Sequence, residues 1–136
     1  MNFKPKLKIA FSLLVLVQAA HSFEEIKFEL WRYVAPSRWI GKLFHDDAAV
    51  GFAIANGLII VFGFWCYLAR VRPGHRTAKF WITLWALVEL VNGFGHPLMA
   101  LYQGSYFPGA YTAPLLFAVA VYSLFALSQA KSPPSH

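Results

Sequence analysis

Glu89 is the single charge in an apolar run of 22 residues, Phe80 to Leu101. Asn92 and His96 follow it at three and seven residues, which places all three on one stripe of a helix. An ionisable group inside an apolar span is costly and marks a cavity, a partner or a proton path. A second stripe stands near the start of the chain, where Glu24 and Glu25 lie three and four residues after His21. Together the stripes offer two imidazoles and three carboxylates, with Asn92 to orient one of them. Such a set suits a divalent metal such as zinc, iron or manganese, with His21, Glu24, Glu25, Glu89 and His96 as ligands. A cation or a proton would also relieve the repulsion between closely placed acids. Without metal, the same groups make a general acid/base pair or a proton relay.

These groups must be positioned by helices. The chain has 136 residues, 58% of them hydrophobic and 13% charged. A soluble domain carries about 25% charged residues. The mean hydropathy of +0.50 points to a membrane and excludes a disordered chain. The net charge is +6, but the basic residues flank apolar runs, which argues against nucleic acid as a partner. Ala48 to Ala69 and Ala110 to Ala130 are uncharged runs of 22 and 21 residues. With Phe80 to Leu101 they give three runs that meet the roughly 20 residues a spanning helix needs.

The first run, Ile9 to Ala20, has 12 residues. Lys4, Lys6 and Lys8 before it, and Val17-Gln18-Ala19 at its end, would suit a signal peptide cleaved after Ala19. Retention is the preferred reading, with the helix running past His21 toward Val34 and stopped by Pro36. The short run then leaves His21, Glu24 and Glu25 inside the outer part of the bundle. Lysines and arginines cluster at the start, in the connection holding Arg70, Arg72, Arg76 and Lys79, and at Lys131. By the positive-inside rule both ends are cytoplasmic, as expected for a bacterial inner membrane. Both chemical stripes then fall in the outer half. Aromatics mark the boundaries, with Trp31, Tyr33, Trp39, Tyr102, Tyr106 and Tyr111 outside and Trp65, Tyr67, Trp81 and Trp85 inside.

Other features have plainer readings. Cys66 is a buried thiol, and one cysteine allows no disulfide within the chain. Asp46 and Asp47 begin the second span, and His45 and His75 are loop residues. The arginines set topology and meet anionic lipid. Gly57 and Gly63 suit close helix contact. Pro97 should kink or end its helix beside His96. Tyr106 to Gly109 is a turn. Residues 131–136 are expected to form a disordered tail.

Three motifs follow in order: His21-Ser22-Phe23-Glu24-Glu25 as H-x-x-E-E, Asn92 to His96 as N-x-x-x-H, and Tyr106 to Ala113 as Y-x-P-G-x-x-T-A. The ordered set resembles the HXXEE-domain family of small membrane proteins. The resemblance implies that the first helix is retained. It also adds Tyr106 and the Pro108-Gly109 backbone to the pocket near His96. It implies motif positions and no reaction.

The expected fold is all-α, an integral membrane four-helix bundle in one domain over residues 1–130, with helices at about 7–34, 48–69, 80–101 and 110–130. An amphipathic segment from Glu24 to Phe44 should lie along the outer interface. The first functional reading is a small membrane enzyme, a metal-dependent hydrolase or an isomerase-like acid/base enzyme, acting on a lipidic or amphiphilic substrate. Glu24, Glu25, Glu89, Asn92 and Tyr106 are its candidate catalytic residues. The second is a proton- or cation-coupled transporter or accessory subunit, needing a homo-oligomer at this size. The third is a structural bundle with a buried polar network.

Overall fold

The computed structural model describes residues 5–129, all helix and turn, with no strand among them. Five helices follow in order: α1 (Pro5–Lys27), α2 (Ala35–Phe44), α3 (Ala48–Cys66), α4 (Ala78–Gln103) and α5 (Ala113–Ser128). A wider π-type turn, Tyr67–Val71, extends α3. Lys4 and the tail from Lys131 lie outside the described residues. Three segments, Pro5–Lys27, Ala48–Val71 and Ala78–Gln103, are long and apolar enough to cross a membrane.

The fourth expected span is shorter than the sequence pattern implies. α5 has 16 residues, about 24 Å. Residues 110–112 are drawn into the preceding turn, where Ala110 N–H bonds to Phe107 and Ala113 N–H to Gly109. α1 lies against α3, α4 and α5, and α5 lies against α4. Phe11, Leu14 and Val15 of α1 are buried with Ile82 and Ala86 of α4 and Leu116 of α5. Loss of the residues up to Ala19 would therefore remove the centre of the packing.

α1 also ends earlier than expected, at Lys27 instead of near Val34. Glu29 breaks it with a left-handed backbone, φ 59°. The break turns Leu30 inward, where it is buried beside Phe52 and Phe107. Tertiary burial thus overrides helix continuation. Pro36 does not stop α1; it sits in the first turn of α2, where a missing N–H costs nothing.

α2 presents Trp39, Ile40, Leu43 and Phe44 outward, all exposed, and turns Gly41 toward α3. A Cβ on Gly51 would collide with the Gly41 carbonyl, and one on Gly41 would stand 2.5 Å from the Ala48 carbonyl. This glycine pair lets α2 and α3 pack backbone to backbone. Asp47 caps α3, accepting from Ala49 N–H at 2.8 Å. A Cβ on Gly63 would stand 3.0 Å from Val15 and Trp85, whereas one on Gly57 would meet nothing within 4 Å, so only the former serves helix contact.

α4 runs through Pro97 to Gln103, so the proline does not end it. Gly93, one turn earlier, packs against the Phe117 backbone of α5. Cys66 is fully buried. Trp65 stacks on Phe62, and Trp81 meets that ring edge-on between α3 and α4. Trp85 also stacks with Phe62, but it is buried and meets the Phe11 ring edge-on at 6.4 Å.

A candidate metal centre between two helices and a glycine turn

The HxxEE stretch is one helical turn of α1, and its polar residues face inward. His21, Glu24 and Glu25 are buried, as are Glu89 and His96 of α4. The structure divides the sequence-predicted set among three environments.

The first holds His21, Glu25 and His96. Glu25 Oε1 lies 3.4 Å from His21 Nε2 and 3.3 Å from His96 Nε2. The rings meet edge to face with centroids 4.7 Å apart. One potential ligand atom from each residue lies within 4.8 Å of the others.

The second is a clamp on Glu24. Its Oε1 accepts from the Tyr106 hydroxyl at 2.6 Å and from Tyr111 N–H at 3.0 Å. Its Oε2 accepts from Thr112 N–H at 2.9 Å and from the Thr112 hydroxyl at 2.6 Å. Four donors occupy this carboxylate, so it ties the 106–112 turn to α1 and stands apart from the His21–Glu25–His96 group. Burial and the hydrogen bond to Glu24 push the Tyr106 phenol above its usual range, so it is held as a donor.

The third surrounds Glu89, which is 1% exposed. Asn92 Nδ2 donates to its Oε2 at 3.0 Å. With the Gln18 amide nitrogen turned to the same carboxylate, it donates to Oε2 at 2.8 Å and to Oε1 at 3.1 Å, and its carbonyl accepts from Ser22 Oγ at 3.0 Å. Asn92 therefore orients Glu89, not a histidine.

The hydrogen-bond inventory decides where the imidazole protons sit. His96 Nδ1 meets the Pro108 carbonyl, which can only accept, so Nδ1 carries the hydrogen. His21 Nδ1 meets Thr112 Oγ1 at 2.8 Å. The single Thr112 hydroxyl hydrogen goes to Glu24 in the shorter contact, so His21 Nδ1 must donate. With both rings neutral, both Nε2 atoms are bare lone pairs aimed at a carboxylate oxygen. Three acceptors converge with no donor among them, and His21 Nε2 is buried without a hydrogen-bond partner.

Such a site can be satisfied by a metal ion or by a proton shared with an imidazole. Ligands at 2.0–2.1 Å around a tetrahedral metal stand roughly 3.3–3.4 Å apart, which the two separations from Glu25 match, while the three ligand atoms together spread to 4.8 Å, so the imidazoles would have to close in on a shared ion. Backbone or side-chain acceptors on the far imidazole nitrogens are the usual second layer of a metal site. Gly109 makes the arrangement possible. Its φ is +92°, and a Cβ there would stand 2.8 Å from Cε1 of both His21 and His96.

Gln18, Ser22, Pro108, Gly109 and Thr112 complete the site although the polar-stripe argument did not reach them. Gln18 and Ser22 share the helical face of Glu25, at spacings of four and three residues, a signal the sequence contained.

The family described as a protein of unknown function with HXXEE motif matches residues 12–123, a stretch holding every one of these groups. No match is found among curated proteins or among solved structures.

Proposed function

The chain belongs to the HXXEE-motif family, and on its buried acceptor cluster we propose an integral membrane enzyme with a divalent metal held by His21, Glu25 and His96. The observation that carries this reading is the convergence of two imidazole Nε2 atoms on one carboxylate oxygen, with His21 Nε2 buried and without a hydrogen-bond partner. Zinc fits the donor set best, and iron or manganese would also accept it. Bound there, the metal supplies Lewis acidity for water activation or for polarising a carbonyl or phosphoryl oxygen.

The chain's own groups divide the remaining work. Glu24 and Tyr106 lock the 106–112 turn over the centre. Thr112 and Pro108 hold the imidazole tautomers. Glu89, supported by Asn92 and Gln18, is the candidate base or acid. A cavity of about 290 Å³ reaches Glu25 and His96 between Val34, Val91, Met99 and Phe107. Its apolar walls favour a lipidic or amphiphilic substrate. With both ends cytoplasmic, this cavity lies in the outer half of the bilayer.

The experiment is elemental analysis of detergent-purified protein, wild type beside His21→Ala, Glu25→Gln and His96→Ala. Near-stoichiometric metal, lost in folded variants, is the expected result. Wild type that is folded, prepared without chelators, metal-free and unable to take up zinc would overturn the proposal. The second reading, proton coupling in a transporter or accessory subunit, draws on the nearly inaccessible Glu89 with its two amide partners. It expects pH-dependent flux that Glu89→Gln abolishes, with no metal bound.

A further inference from the structure

Two cavities share Asn92 as a wall. The first, about 290 Å³, holds Glu25 and His96. The second, about 200 Å³, lies between α3 and α4 and is lined by Ile59, Phe62, Leu84, Trp85 and Val88, over Gln18 and Glu89. On α4 their walls are Leu84, Trp85, Val88, Glu89 and Asn92, then Val91, Gly95, His96 and Met99. Those positions recur at three and four residues and make one stripe. The cavities therefore lie end to end along α4 with Asn92 between them, over about 21 Å from Trp85 to Met99 at the helical rise.

We propose that the two cavities form one trough, which seats a single aliphatic chain of a membrane amphiphile whose polar end lies at His21, Glu25 and His96, an assignment that rests on the reading of those residues as a reactive centre. The walls are apolar. The polar groups beneath them are already paired, since Gln18 and Asn92 donate to Glu89. The floor thus asks for no charged ligand. Ile59, Phe62 and Val88 are each partly exposed, so the trough is open sideways, as entry from a bilayer requires. Only one end carries the centre, which sets the polar group there and the chain toward Trp85. A groove between α4 and α5 and another beside Ser12 and Phe64 share no wall with Glu25 or His96. One trough at the centre fits one chain.

Gly95 gives a clean test. It lines the trough, and a Cβ there would meet nothing within 4 Å. Gly95→Leu adds a side chain at the trough wall from a Cβ that meets no neighbour. Gly57→Leu, equally open but on no cavity wall, is the control. The probe is a diazirine-bearing long-chain alcohol, photolysed with the full chain in detergent and mapped by peptide mass spectrometry. Label is expected at Val88, Asn92 and Gly95, falling about tenfold, equivalent to ~1.4 kcal/mol, in Gly95→Leu and unchanged in Gly57→Leu. Should Gly95→Leu fail to fold, Ile59→Trp closes the other end and should reduce label at Val88. Label spread evenly over exposed positions such as Leu115 and Phe125, and indifferent to the trough variants, would overturn the assignment. Metal content is measured on the same samples. Trough label on wild type that is metal-free and takes up no zinc keeps the chain assignment and rejects the metal; bound metal without trough label does the reverse.

Discussion

Thr112→Val removes one hydroxyl and nearly nothing else. That hydroxyl donates to Glu24 at 2.6 Å and accepts from His21 Nδ1 at 2.8 Å. The variant loses one hydrogen bond to a carboxylate, worth roughly 1.5–3 kcal/mol, and orphans a buried N–H at about 1–3 kcal/mol. Glu24 keeps its Tyr106, Tyr111 and Thr112 backbone donors, so the turn should stay attached. The expected loss is about 2.5–6 kcal/mol, read by thermal or denaturant unfolding in detergent. Without its acceptor, His21 is free to change tautomer and bring the hydrogen to Nε2, where it would bond to Glu25. Zinc affinity should then fall about 10- to 100-fold, the usual effect of losing a partner behind a metal-binding histidine. Nitrogen-15 NMR of the histidine rings reports the tautomer directly, in metal-free protein. Thr112→Ser restores the hydroxyl and should restore all three readouts. If the valine and serine variants have the same stability and the same His21 tautomer, the proton assignment on which the metal centre rests is wrong.

Gly109→Ala combines a left-handed backbone with a Cβ against both imidazoles, so a loss of more than about 2 kcal/mol is expected in unfolding measurements, together with loss of metal. Gly51→Ala should cost about 1–3 kcal/mol by forcing α2 off α3, whereas Gly57→Ala, in open space, should gain up to about 1 kcal/mol; paired melting curves check both. Tyr106→Phe deletes a short hydrogen bond to a carboxylate and should cost roughly 1.5–3 kcal/mol at neutral pH. Because folding raises the Tyr106 pKa, its contribution is fully present below the ordinary tyrosine value and declines as pH rises beyond about 10. Stability measured against pH should therefore show wild type and Tyr106→Phe converging at the alkaline end.

Much of the architecture was legible. Long apolar runs have one economical arrangement, so Ala48–Ala69 and Phe80–Leu101 became helices with nearly the expected bounds. His21, Glu24 and Glu25 came out buried because the first apolar run is too short to carry them clear of the packing. The end of α1 was illegible, since Glu29 has no intrinsic preference for a left-handed backbone and adopts it only because Leu30 gains a buried site. The reduced fourth helix was equally hidden, because residues 110–112 are claimed by Glu24, a contact 87 and 88 positions away for Tyr111 and Thr112.

What the sequence determined by itself is the inventory of polar groups on inward helical faces, because a period of 3.6 residues depends only on local backbone geometry. Which of those groups meet was decided by tertiary structure. Five equivalent-looking candidates separated into the acceptor cluster of His21, Glu25 and His96, the clamped Glu24 and the amide-paired Glu89. The separation depends on where a glycine turn places two carbonyl and hydroxyl oxygens behind the imidazoles. A hydrogen-bond donor and its acceptor must meet within a few tenths of an ångström, and spacing along one helix cannot specify that distance across to another.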